Sequence, residues 1–261
     1  MEKFTIPNRW LTAPVAITVV GAGGTGSQMV KGLAKLHLAL LSLGHPGIKV
    51  TLWDDDRVSP ANLGRQEFYA PDVGHPKSTV LIHRVNMTLG TQWRAIAARF
   101  QSTAFSSEHL IIGCVDTRAS RKAILDGASR RGCFWMDLGN RADDGQVVFG
   151  QIPGFGDKKT MPRLPHAADL FPEIVDDTLD AGDNEPSCSL ADALEKQSLF
   201  VNSMAATWGL NLLWQLFRHG EITQHGYFFN LKTGRSNPLP INPQVWKAMG
   251  FSPRARRKKA A

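Results

Sequence analysis

Ala16-Ile17-Thr18-Val19-Val20-Gly21-Ala22-Gly23-Gly24-Thr25-Gly26 runs from an apolar, β-branched stretch directly into a glycine-rich turn. β-branched residues favour extended chain, and the segment after the turn has helical spacing, so the reading is strand, tight turn, helix. Glycines at such a turn let backbone N–H groups approach a phosphate at a helix N-terminus. The pattern alone fits many dinucleotide enzymes, and it also fits a tight strand-to-helix turn that binds nothing.

A second segment narrows this. Asp54-Asp55-Asp56-Arg57-Val58-Ser59-Pro60-Ala61-Asn62-Leu63-Gly64-Arg65-Gln66 follows an expected strand that ends near Trp53. A dinucleotide dehydrogenase needs a single acid about 20 residues past its glycines, to bond the ribose. Here three aspartates are followed by Asn62, Arg65 and Gln66. A carboxylate for ribose, further acids for a metal ion, and an arginine with amides for a triphosphate suit ATP and adenylyl transfer better than NAD and hydride transfer. Plain alternatives stay open: Asp54 to Asp56 as a solvated turn, Arg65 and Lys77 as surface charges.

These residues resemble the ThiF/MoeB/ubiquitin-activating enzyme superfamily, whose pattern is a GxGGxG turn followed by DxDxVxxxNLxRQ. Asp54, Asp56, Val58, Asn62, Leu63, Arg65 and Gln66 all fall on it. Asp72-Val73-Gly74-His75-Pro76-Lys77 is similar to the family's DVGxxK element, with Lys77 at the start of the next helix. Leu110 to Val115 reads as an apolar strand ending in Asp116, and Asp116-Thr117-Arg118 stands where the family usually has an Asp-Asn pair. Asp116 also reads as an N-cap for a helix starting near Thr117. The first crossover, Ser27 to Gly47, is longer than the family norm and carries an extra leucine-rich stretch from Leu36 to Leu43. Most narrowly, the chain resembles the ThiF-family member of bacterial PRTRC gene systems.

The resemblance implies a Rossmann-like α/β fold, a mainly parallel sheet extended by antiparallel C-terminal strands with helices on both faces. One adenylation domain would span 1–249, with a crossover-type loop at about 153–188. The implied cofactors are ATP and Mg2+. Gly21, Gly23, Gly24 and Gly26 would line the nucleotide with backbone, and Asp54 would hold the ribose hydroxyls. Asn62, Arg65, Gln66 and Lys77 would contact phosphates, and Asp116 with Asp56 would address magnesium. The implied reaction is adenylation of the C-terminal carboxylate of a small ubiquitin-like, β-grasp protein. A conjugating enzyme is implied as a further partner, and a homodimer as the assembly. Arg9 is the candidate for the arginine that homologues lend to the partner subunit's site. Many members bind structural zinc through two CxxC pairs; this chain has no CxxC, so no such zinc is expected.

In the family, a cysteine in the crossover loop takes the activated acyl group as a thioester, and Cys188 matches it by position. Seven acids lie between His166 and Cys188, and no lysine or arginine occurs between His166 and Glu195. Ser189-Leu190-Ala191-Asp192 reads as a capping-box start for the long helix that follows. A thiol at a helix N-terminus has its pKa lowered, while neighbouring acids oppose the shift. An inert loop thiol is the competing reading. Cys114 and Cys133 lie in or beside apolar strands and read as small buried hydrophobes.

The 261 residues, 43% hydrophobic, suffice for one large α/β core. Of the net charge of +7, five units come from Arg254, Arg256, Arg257, Lys258 and Lys259, so residues 250–261 read as a solvated basic tail and nucleic acid is not an expected partner. No apolar leader opens the sequence and the three cysteines form no disulfide framework, so a cytoplasmic setting is expected.

Strands are expected near 16–20, 49–54, 94–99, 110–115 and 133–137, with helices near 25–43, 77–88 and 118–131, a βαβ alternation. Three antiparallel additions are expected at 146–151, 224–229 and 229–232. Leu199 to Phe217 is uncharged and approaches the length of a membrane span. Asn202, Ser203, Thr207, Asn211 and Gln215 make one polar stripe along it, so it reads instead as a helix buried between the sheet and another subunit, with Trp208 and Trp214 in core or interface. Three other functions stay open: a sulfur-carrier or peptide adenylyltransferase without a thioester step, an NAD-dependent oxidoreductase, and an inactive scaffold.

Overall fold

The structure, a computed structural model, describes residues 2–101, 109–128, 131–154, 163–180 and 197–251. Cys188, Ser189 to Asp192 and the basic residues of the tail lie outside them. Two strands, β2 (Val15–Val20) and β5 (Leu110–Gly113), pair within the parallel half of an eight-stranded sheet. Every residue of β5 is buried, the pattern of a parallel strand covered on both faces. β3 (Ile48–Trp53) and β4 (Arg94–Ile96) extend the parallel sheet from β2, and β6 (Arg131–Asn140) extends it from β5. The order β6-β5-β2-β3-β4 is that of a doubly wound fold. Its topological switch point falls between β2 and β5, where open α/β sheets bind ligands beyond the carboxyl ends of the strands.

β6 turns back on itself into β7 (Asp144–Gly154), which pairs with β9 (Gln224–Asn230), and β9 with β10 (Arg235–Pro240), all antiparallel. The antiparallel extension is as expected, with one correction. Residues 231–234 form the turn between β9 and β10, and the third added strand is Arg235–Pro240. Gly234 adopts φ 67°, the left-handed conformation that reverses the chain there. A separate two-stranded ribbon pairs β1 (Phe4–Thr5) with β8 (Glu221–Ile222).

Side chains alternate along β6: Phe134, Met136 and Leu138 enter the larger core, while Cys133 and Trp135 enter a smaller one on the opposite face. Helices α2 (Gly24–Ser42), α3 (Lys77–Leu89) and α6 (Val201–His219) cover the first face. α4 (Arg118–Ala128) covers the second, together with α5 (Ala167–Leu170) and the 3₁₀ turns Pro172–Val175 and Asp177–Asp180. A short α1 (Arg9–Thr12) seals the lower edge by burying Trp10 against Phe134 and Phe217, and α7 (Pro243–Ala248) follows β10. The extra leucine-rich stretch is the C-terminal part of α2, with Leu36 and Leu40 turned into the core.

α6 starts later than expected. It begins at Val201, so the long helix does not open at Ser189; Cys188 and Ser189 to Asp192 themselves lie outside the described residues. Part of its polar stripe is engaged within the chain. Asn211 and Gln215 reach the hydroxyl of Tyr227 on β9, and Asn202 enters the site described below. Trp208 stacks on Tyr227 at 4.2 Å, and Trp208 and Trp214 both pack against the core. Among the described residues no helix is long and apolar enough to cross a membrane.

Candidate nucleotide-binding site

The glycine turn joins β2 to α2 at the switch point. Gly21 adopts φ 95° and donates its amide to the Trp53 carbonyl at 2.9 Å. A Cβ on it would lie 2.5 Å from the Cys114 carbonyl oxygen, so the ends of β2 and β5 come together only around a glycine. Gly26 packs closer still, since its Cβ would sit 1.9 Å from the Gly21 carbonyl oxygen. Gly24 lies against the Asn202 side chain. Gly23 differs: a Cβ there would meet nothing within 4 Å. The turn is therefore packed from behind and open at Gly23, where a ligand can reach the backbone at the N-terminus of α2.

Asp54, just past β3, accepts the Ala22 amide at 2.6 Å and the Asp56 amide at 3.0 Å. Burial pushes its carboxyl up to about 6, against the pull of the Ala22 hydrogen bond and of Lys77. Asp54 to Asp56 is thus not a freely solvated turn, although Asp55 and Asp56 are exposed. Lys77, the first residue of α3, has a 7% exposed side chain, and its Nζ donates to Asp56 Oδ2 at 2.8 Å. Its amide donates to the Asp56 carbonyl at 3.0 Å, which fixes the start of α3 against the acidic segment. Lys77 is accordingly no surface charge.

The segment between them is built locally. Ser59 and Asn62 form a reciprocal capping box around the 3₁₀ turn Pro60–Asn62, with the Ser59 amide donating to Asn62 Oδ1 at 2.9 Å. Gln66 is buried and its Oε1 is enclosed with no partner among the described residues; Arg65 Nε is the same. Burial lowers the Arg65 pKa, yet the guanidinium stays charged at any working pH. Arg65 Nη1 donates to Gln197 Oε1 at 2.8 Å. Enclosed polar atoms without partners each cost on the order of 1–3 kcal/mol, and here two of them lie next to each other in the chain, in the expected phosphate segment.

From Gln197 a polar network leads back to the glycine turn. Asn202 Nδ2 donates to Gln197 Oε1 at 2.9 Å, and the Thr25 hydroxyl lies 3.0 Å from both Asn202 Oδ1 and Asn140 Oδ1. Thr25, Asn140, Gln197 and Asn202 are site residues that sequence reading did not single out. Asn202 left a signal as the first residue of the polar stripe on α6, though not one that pointed to this site.

Asp116 is exposed beyond β5, and among the described residues its carboxylate has no hydrogen bond or ion pair. It is not the N-cap of α4 that the sequence suggests. The amides of Arg118 and Ala119 donate to the Asp180 carboxylate at 3.0 and 2.9 Å, and the Ser120 amide donates to Thr117 Oγ1 at 3.2 Å. Burial works against ionisation of Asp180, but these amide hydrogen bonds and the Arg118 guanidinium hold its carboxyl below the ordinary range. Asp116 is thereby left exposed past the end of β5.

The sequence matches the ThiF family over residues 11–245. The chain belongs to the ThiF family. Among curated proteins it is 28% identical over 158 residues to the adenylyltransferase and sulfurtransferase UBA4 of Yarrowia lipolytica, a match covering 59% of this chain and 38% of that protein. Among solved structures, E. coli MccB with succinimide superposes with a TM-score of 0.58 at 15% identity, covering 92% of this chain and 66% of that one. E. coli MccB with ATP gives 0.53 at 14% identity, covering 95% and 67%. At that identity the structural likeness shows the shared fold, with helices on both faces of a mainly parallel sheet.

In this ThiF-family chain the two described cysteines sit where burial disfavours the thiolate. Burial pushes the Cys133 thiol up to about 12 and the Cys114 thiol higher, so neither carries thiolate near neutrality. Beside Cys114 lies a buried ion pair, Arg121 Nε to Asp137 Oδ1 at 3.0 Å, with Asp137 fully enclosed. Asp137 interrupts the apolar run Phe134 to Leu138, and a buried acid of that kind needs a partner. Its second oxygen, Trp135 Nε1 and His166 Nδ1 are enclosed with no partner among the described residues. Arg9 lies exposed on α1, at the opposite end of β2 from the glycine turn.

Proposed function

We propose that this chain is an ATP-dependent activating enzyme that adenylates the C-terminal carboxylate of a small ubiquitin-like, β-grasp protein and passes it to Cys188 as a thioester. One observation carries the adenylation. Two hydrogen-bonded chains end on the same glycine turn, one from the acidic segment through Asp54 to Ala22, the other from Arg65 through Gln197 and Asn202 to Thr25. A ribose acid and a phosphate arginine are thus referred to one backbone cradle, open at Gly23.

A carboxylate is a poor electrophile. Its oxygen attacks the α-phosphorus of ATP, the bond from that phosphorus to the bridging oxygen breaks, and pyrophosphate leaves with the extra charge. Arg65 and Lys77 are placed to balance that charge, Asn62 and Gln66 to orient the phosphates, Asp54 to hold the ribose, and the glycine backbone to hold the phosphate chain. Mg2+ supplies charge neutralisation on the triphosphate when bound. Among the described residues no three ligating side chains cluster, and Asp56 already bonds Lys77, but a cation carried on phosphates needs only one or two carboxylates, which Asp116 or Asp56 would supply. In the thioester step the Cys188 thiolate attacks the acyl carbon and AMP departs.

A second reading has its own support, since the curated relative is named an adenylyltransferase and sulfurtransferase. In it a sulfur-carrier protein or peptide is adenylated in the same site without a thioester step. An oxidoreductase would leave the placement of Arg65 and Lys77 unexplained. A homodimer, a conjugating-enzyme partner and an Arg9 contribution in trans belong to the first reading and extend it.

The deciding experiment is exchange of labelled pyrophosphate into ATP, in the presence of a carboxylate partner captured from the native host. Arg65→Ala or Asp116→Ala should lower exchange by on the order of 100-fold. Full exchange in both variants would reject the site. Thermal stabilisation by NAD and not by ATP with Mg2+ would reject the reaction.

A further inference from the structure

Gln197 lies outside every motif in the sequence, yet it makes the hydrogen bond that holds Arg65. Its amide is oriented by three contacts. The oxygen accepts from Arg65 Nη1 at 2.8 Å and Asn202 Nδ2 at 2.9 Å, and the nitrogen donates to the Arg141 carbonyl at 3.1 Å. Two donors at the oxygen and a carbonyl at the nitrogen leave only one way round for the group. With Nη1 taken and Nε enclosed, Nη2 is the corner of the Arg65 guanidinium left to meet a ligand. Arginine loses much rotamer freedom when it grips a ligand, and a partner that fixes the guanidinium beforehand removes that cost from binding. Asn202, which Gln197 also grips, lies against Gly24 and bonds Thr25, so the same amide sets the distance between the arginine and the glycine turn.

We propose that Gln197 is a positioning residue for ATP, fixing Arg65 toward the β- and γ-phosphates and tying it in register with the glycine turn. The inference rests on Arg65 being a phosphate contact, as argued above.

The test uses the full chain, with ATP and AMP as probes in titration calorimetry with Mg2+. AMP has the ribose and the α-phosphate but lacks the groups that Arg65 addresses. Gln197→Ala should weaken ATP about five-fold and change AMP by less than about two-fold, the size of one lost charged hydrogen bond acting on one ligand only. In an Arg65→Ala background the same substitution should cost nothing more, whereas a residue with a merely structural role would weaken binding in both backgrounds. Gln197→Glu keeps both acceptor contacts but replaces the donor to the Arg141 carbonyl with an oxygen, so its melting temperature should fall by about as much as that of Gln197→Ala. It should weaken ATP more than Gln197→Ala does, because a carboxylate then competes for Arg65 and repels the phosphates. Unchanged ATP affinity in Gln197→Ala, or equal losses for ATP and AMP, overturns the proposal even where Arg65→Ala shows the phosphate contact. A wild type that does not bind ATP, or an Arg65→Ala variant that binds it fully, overturns the underlying reading and the proposal with it.

Discussion

The carboxylate of Asp54 and the amide of Ala22 meet at 2.6 Å, tying the end of β3 to the turn after β2. The carboxyl that makes this bond is also the one that burial pushes up to about 6 from an ordinary 3.8. The folded state therefore holds a proton that the unfolded chain releases between those values. Stability from this group is fully present below pH 3.8 and is lost as pH rises through about 6. Urea unfolding of wild type against Asp54→Asn should show the wild type losing roughly 1–2 kcal/mol relative to the variant across that window, part of the linkage being screened by solvent. A pH-independent difference would place the Asp54 pKa at its ordinary value.

Two glycines one turn of helix apart should respond in opposite ways. Gly26→Ala drives a methyl into the Gly21 carbonyl, a backbone atom that cannot step aside, and should cost about 3 kcal/mol of stability. Gly23→Ala adds a methyl in open space and should hold stability within about 1 kcal/mol of wild type. It should nevertheless weaken ATP about ten-fold, because the methyl stands where a phosphate would approach the backbone. Melting curves with and without ATP separate the two effects.

The Arg121 and Asp137 pair should show strong coupling. Arg121→Met leaves a fully enclosed carboxylate without its cation and should cost about 3–5 kcal/mol in urea unfolding. The double variant Arg121→Met with Asp137→Leu should recover most of that loss, since a buried pair replaced by apolar groups is often close to neutral. Additive losses would mean that the two residues stabilise the fold independently.

Cys188 separates the two readings of the reaction. Cys188→Ala should leave pyrophosphate exchange near wild type while removing a covalent adduct that thiol reductant cleaves. Cys114→Ala and Cys133→Ala should keep the adduct, because neither buried thiol ionises near neutrality. An adduct that persists without Cys188 moves the acceptor elsewhere, and no adduct in any variant favours direct release of the adenylate.

What the sequence disclosed and what it hid divide along sequence distance. The glycine turn and the lysine opening α3 are local patterns, and each stands where its motif placed it. The residues that complete the site come from far away. Gln197 meets Arg65 across 132 positions, and Asn202 meets Thr25 across 177. Asp180 replaces the expected local cap of α4 from 62 positions on, a substitution that propensity cannot foresee. On α6, periodicity locates a polar face without saying what lies opposite, which for Asn211 and Gln215 is Tyr227. The misplaced last strand has a local cause: Pro238 and Pro240 hide β10, while the aromatic residues of β9 draw the strand reading past its end.

Those two prolines bear on how the chain can meet other proteins. β10 is one border of the eight-stranded sheet, and β4, three residues long, is the other. Proline has no amide hydrogen to offer, and Pro238 and Pro240 interrupt the row of donors along β10. A border so interrupted at one side and so brief at the other gives an incoming strand little to pair with, which guards against sheet-to-sheet aggregation. A second copy or a carboxylate-bearing partner would then have to engage helix faces and loops, leaving the β-sheet closed to lateral growth.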